Sequence, residues 1–106
     1  MNDKPPRIIH NGDIASLLIA IPDGHRHLRL ALTMEDGETL VLPEAAVAAI
    51  VRAYTAVKTH PARRAAKMLS VTPEGLKPGY AERQLIEQDA DDAEVIAELT
   101  RLLPPS

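Results

Sequence analysis

Along residues 7–42, apolar and polar side chains alternate with a period of two, and three glycine-containing turns interrupt the alternation. Asn11-Gly12 is a hairpin signal, because a type I′ turn needs positive φ at both central positions. It would join residues 7–10 to residues 13–21. Pro22-Asp23-Gly24 and Glu35-Asp36-Gly37 supply two further turns, which leaves strands at residues 26–34 and 38–42.

The registers these turns imply can be checked against each other. If the second turn pairs Ile21 with Arg26, Ile19 faces Leu28 and Leu17 faces Leu30. If the third pairs Met34 with Glu38, Leu32 faces Leu40 and Leu30 faces Leu42. Both place Leu17, Ile19, Ile21, Leu28, Leu30, Leu32, Leu40 and Leu42 on one face, which a one-residue slip would destroy. Pairing His10 with Asp13 adds Ile8 to that side. The opposite face carries Ile9, Ile14, Leu18, Ala20, Ala31 and Val41, with His27, Arg29 and Thr33 around them. A face turned to water is normally more polar, so this one is expected to be covered by the C-terminal segment or by a second copy of the chain.

Beyond residue 42 the period changes. Pro43-Glu44 opens a helix, with proline at its first position and glutamate at the positive end of its dipole. Val47, Ile50, Val51, Tyr54 and Val57 form an apolar stripe expected to lie on the leucine-rich face, and His60-Pro61 ends the helix. A second short helix is expected over residues 62–69 and a loop over residues 72–79. Residues 80–88 favour helix. A final helix is capped by Asp89, carries Val95, Ile96, Leu99, Leu102 and Leu103 on one side, and stops at Pro104-Pro105.

The pattern therefore predicts an α+β fold in one domain. A three- or four-stranded antiparallel β-meander (7–42) precedes a long helix packed on one face (43–59) and a short helical C-terminal part (61–103). The length of 106 residues suits one domain, and 45% apolar residues can form a core. Aromatic residues make up only 2%, which argues against surfaces that bind single strands by stacking bases. Without cysteine there is no disulfide, thiolate nucleophile or thiolate zinc site. A net charge of −3 points to no partner by itself. The longest apolar run, residues 14–21, is too short to span a bilayer, and the polar N-terminus has no export signal, so a cytoplasmic protein without membrane attachment is expected.

Charge is unevenly distributed. Arg52, Lys58, Arg63, Arg64, Lys67 and Lys77 dominate residues 52–77, whereas Glu82, Glu87, Asp89, Asp91, Asp92, Glu94 and Glu98 dominate residues 82–98. The plainer reading is mutual neutralisation, within one chain or across a dimer; the functional one is a basic surface for nucleic acid. The run Ala65-Ala66-Lys67-Met68-Leu69-Ser70-Val71-Thr72-Pro73-Glu74-Gly75-Leu76 resembles the core of helix-turn-helix regulators. The resemblance implies Val71 packed between two helices and a DNA-reading helix from Thr72 onward, with Arg63, Arg64 and Lys67 on phosphates. Ser70 stands where such motifs place glycine, and Gly75, Pro78 and Gly79 interrupt the reading helix.

His25 and His27, expected on one strand face, are candidate ligands for an alternative metal or small-molecule site. Arg29 beside them and the lack of a third ligand count against it. The acidic cluster of residues 89–94 reads as helix capping rather than calcium binding. No nucleophile–base pair and no phosphate-cradling loop is present. The sequence thus points to a non-catalytic interaction, assembly or regulatory protein without a cofactor, self-associating as a dimer or binding a protein partner. Ile14, Leu18, Ala31 and Val41 are its candidate interaction residues, and a DNA-binding regulator using residues 61–77 is the alternative.

Overall fold

A computed structural model describes residues 4–72, 74–75 and 83–104. The fold is α+β. An antiparallel sheet of β1 (Ile14–Ala20), β2 (Arg29–Met34) and β3 (Thr39–Pro43), in that order, leads into the helix α1 (Glu44–Thr59). A two-stranded antiparallel sheet of β4 (Met68–Val71) and β5 (Gln84–Glu87) and the helix α2 (Asp92–Leu102) complete it.

The β2–β3 hairpin has the expected register, Leu30 opposite Leu42 and Leu32 opposite Leu40. Gly37, at φ +94°, accepts the left-handed conformation that closes it, and the Met34 N–H donates to the Glu38 carbonyl at 2.7 Å. The β1–β2 register is displaced by two residues from expectation, with Leu17 opposite Leu32 and Ile19 opposite Leu30. Pro22-Asp23-Gly24 does form a turn, its His25 N–H bonding the Pro22 carbonyl at 3.0 Å, but this turn sits inside a longer loop rather than closing the hairpin. An even-numbered slip leaves each side chain on its own face, so the leucine-rich face survives.

Two other features depart from the expected meander. Asn11-Gly12 makes no hairpin, and Gly12 does not take positive φ. Residues 11–13 form one 3-10 turn, closed by the Asp13 N–H on the His10 carbonyl and by the His10 N–H on the Asp13 carboxylate, both at 2.9 Å. Asp13 satisfies locally the donor that a strand partner would have used. The sheet accordingly has three strands, and Arg7 forms ion pairs with Glu38 and Asp36 beside the β2–β3 turn. A bulge between Ile14 and Ser16 then reverses the alternation, so Ile14 lies opposite Met34, on the leucine-rich face rather than the other one.

Helix α1 lies against β2 and β3 and also meets β5. Pro43 stands one residue before the first helical position, with no side-chain capping bond, and His60, extended before Pro61, ends the helix. Its orientation differs from the expected one. Val47 and Ala49 are buried and Ala46, Ala48, Ala53, Ala56 and Val57 half-buried, whereas Ile50, Val51 and Tyr54 are exposed. Alanines permit a close approach to the sheet, and the larger side chains are left on the outside. Met34, on the leucine-rich face, is 1% exposed and is the largest fully enclosed side chain among the described residues.

Past α1 the expected helix over residues 62–69 is absent. Residues 68–71 form β4, with Met68 opposite Glu87 and Val71 opposite Gln84. Helix-favouring residues here are overridden by long-range pairing, which supplies the backbone with partners from residues 84–87. The C-terminal part is thus a hairpin followed by a helix, not wholly helical. Helix α2 is capped by Asp91, whose carboxylate accepts the Ala93 N–H at 3.2 Å, rather than by Asp89. Of the expected loop over residues 72–79, only Thr72, Glu74 and Gly75 lie within the described residues, and residues 80–82 lie outside them.

Candidate interaction surface

Leu18, Ala31 and Val41 stand directly opposite one another on β1, β2 and β3 and make an apolar row across the sheet. Helix α1 occupies the other side, where Leu30, Leu32 and Leu42 are half-buried. Among the described residues nothing covers the Leu18 row: Leu18 is 67% exposed and Val41 61%. The choice between the C-terminal segment and another chain is thereby narrowed, because α2 and the β4–β5 hairpin do not lie on this face. Ile14, the fourth candidate, is half-buried and turned to the opposite side by the bulge.

The two edges of the sheet differ. Antiparallel ladders alternate between residues bonded to one neighbour and residues bonded to the other. The Met34 N–H bonds to Glu38 and the Glu35 N–H to the Asp13 carbonyl, which sets that alternation. It follows that Ser16, Leu18 and Ala20 bond to β2, while the N–H and C=O groups of Leu17 and Ile19 point away from the sheet. On β3 the corresponding outward positions are Thr39, Val41 and Pro43, and Pro43 has no N–H to offer. Strand β1 contains neither proline nor charge, the usual protections of a free edge. Leu17 and Ile19, on the helix side of β1, are also more than half exposed.

Total surface agrees with this local picture. The chain exposes 8823 Å², against about 5,800 Å² for a compact monomer of its mass. Its radius of gyration is 16.2 Å, against about 13 Å for a compact domain of its length.

The charge blocks meet within the chain. Arg63 pairs with Glu87 at 2.8 Å and Lys67 with Glu98 at 2.9 Å. The Arg64 backbone N–H donates to the Asp92 carboxylate at 2.8 Å. The hydrogen bond from Lys67, aided by its charge and that of Arg101, holds the Glu98 carboxyl below its ordinary range. Mutual neutralisation is therefore present inside one chain. No helix spans residues 61–77 among the described residues, and Val71 pairs with Gln84 instead of packing between helices. Among the described residues, the stretch that would form the motif's first helix and turn is not helical.

His25 and His27 lie in the loop between β1 and β2, not on a strand. The His27 Nδ1 is 4.0 Å from Glu44, whose carboxylate also accepts the Leu28 N–H at 2.6 Å, a contact that ties the loop to the start of α1. Among the described residues no group of three potential metal ligands converges. A shallow cleft of about 460 Å³ runs between α1 and the β4–β5 hairpin, lined by Arg52, Ala56, Arg63, Met68 and residues 84–87. Of its two arginines, Arg63 is already engaged by Glu87.

Two exposed apolar stripes escaped the sequence reading. Ile50, Val51 and Tyr54 on α1 face outward rather than onto the sheet, and Leu99 and Leu102 on α2 and Leu103 at its end also remain more than 45% exposed. The alanines at residues 46, 48, 49, 53 and 56 were the available signal for the first, since they mark the side on which α1 could approach a sheet closely. No helix among the described residues is long and apolar enough to cross a membrane. Comparison with protein-family models, with curated proteins and with solved structures finds no match.

Proposed function

We propose that this protein is a non-catalytic assembly protein that works as a homodimer, joined through the apolar surface of its three-stranded sheet around Leu18. The supporting observation is that Leu18 and its neighbours across the sheet have no cover from their own chain, in a molecule that leaves far more surface exposed than a compact monomer does.

The reading is tested by sedimentation equilibrium on the wild type and on Leu18→Arg, with circular dichroism as a check on folding. A charge at an exposed position leaves the monomer folded but must be desolvated at a self-interface. The dimer constant is expected to weaken by about 100-fold or more, equivalent to the loss of roughly 3 kcal/mol of apolar burial over two copies. Equal association by the two proteins would refute the placement of the interface, and a wild type monomeric at millimolar concentration would refute the dimer.

A further inference from the structure

We infer that β1 is a dimerisation strand: two copies pair antiparallel through its free edge, with Leu18 on the two-fold axis, so that two three-stranded sheets become one of six strands. This rests on the self-association proposed above and specifies how the copies meet.

Four observations converge on it. The outward N–H and C=O groups of Leu17 and Ile19 form an unpaired ladder edge, and such an edge is a template for a further strand. The side chains on both faces of β1 are more than half exposed, Leu17 and Ile19 on one and Leu18 on the other. Exposure on both faces of β1 at once points to a lateral neighbour at that strand, next to the uncovered Leu18 row. The other edge is shorter and blunted by Pro43. Finally, the strand is complementary to itself. Pairing about Leu18 sets Leu17 against Ile19 and Ser16 against Ala20, large against large and small against small, with no charge to repel its copy. A second copy of this chain is thus the occupant that fits.

The geometry has consequences. Edge pairing about a two-fold axis perpendicular to the sheet keeps corresponding faces on the same side. Both α1 helices then flank a floor made of Leu17, Ile19 and their symmetry mates. On the opposite face Leu18 meets its own copy in a pair without ladder hydrogen bonds, where Cα atoms approach to about 4.5 Å. That separation lies within the range a disulfide can span.

Amide hydrogen exchange of the full chain, followed residue by residue by NMR, is the test. At concentrations where the protein is dimeric, the Leu17 and Ile19 amides should exchange as slowly as that of Leu18, while those of Thr39 and Val41 on the β3 edge exchange fast. Ile19→Pro removes an N–H that only the partner uses, and should give a folded monomer. Leu18→Cys, in a chain with no other cysteine, should form a covalent dimer on mild oxidation. Fast exchange at Leu17 and Ile19 in a protein that sediments as a dimer would overturn strand pairing and leave self-association standing. Failure of Leu18→Cys to cross-link in such a dimer would do the same. A wild type monomeric at every concentration would overturn both.

Discussion

The two halves of the chain hold themselves together by different means. The N-terminal half is joined by apolar contact between β2, β3 and α1, with Met34 enclosed and the β1 side of the sheet left bare. The C-terminal half has little apolar interior among its described residues. Its hairpin and α2 are tied to the preceding segment by Arg63–Glu87, Lys67–Glu98 and the Arg64 N–H on Asp92. Exposed ion pairs of this kind contribute little each, about 0–1 kcal/mol. The halves should therefore fail under different stresses, the first when its core is emptied and the second when its charges are removed.

The largest effect on stability is expected from Met34→Ala, which opens a cavity where a large side chain is fully enclosed and should cost about 2–5 kcal/mol in denaturant unfolding. Gly37→Ala comes next. It forces a side chain into positive φ and should cost roughly 1 kcal/mol, whereas Gly12→Ala, at a position without that constraint, should stay within about 0.5 kcal/mol. If the two glycine substitutions behave alike, the distinction drawn between the turns is wrong.

The smallest effect concerns the charged half. Because Lys67 lowers the folded-state titration of Glu98, that pair contributes above the ordinary carboxylate range, and its contribution is lost as pH falls through the lowered value. Lys67→Met should return the Glu98 carboxyl to an ordinary titration in an NMR pH series and loosen α2, with the sheet signals unmoved. Salt should act in the same direction as acid, since the pair is partly exposed.

These contrasts also explain what could be read from the sequence. The leucine-rich face was legible because strand alternation is insensitive to a two-residue slip, which is why the wrong register for β1 and β2 still gave the right face. Asn11-Gly12 misled because Asp13 offers its carboxylate to the His10 N–H, a local bond that turn statistics do not weigh. Ile14 was assigned to the wrong face because a bulge leaves no mark in a run such as Ile14-Ala15-Ser16. The β4–β5 hairpin was hidden for a different reason: Met68–Val71 and Gln84–Glu87 are strands only because each supplies the other's partners. As for the candidate surface, Leu18, Ala31 and Val41 were visible in the alternation, whereas the free edge at Leu17 and Ile19 required the ladder itself.

The account depends on the sheet's bare side being completed by another copy of the chain. Multi-angle light scattering on the purified wild type across a broad concentration range measures this directly. The expected result is a mass twice that of one chain, falling toward the monomer only on dilution. A single-chain mass throughout, from a protein with native circular dichroism, would contradict it.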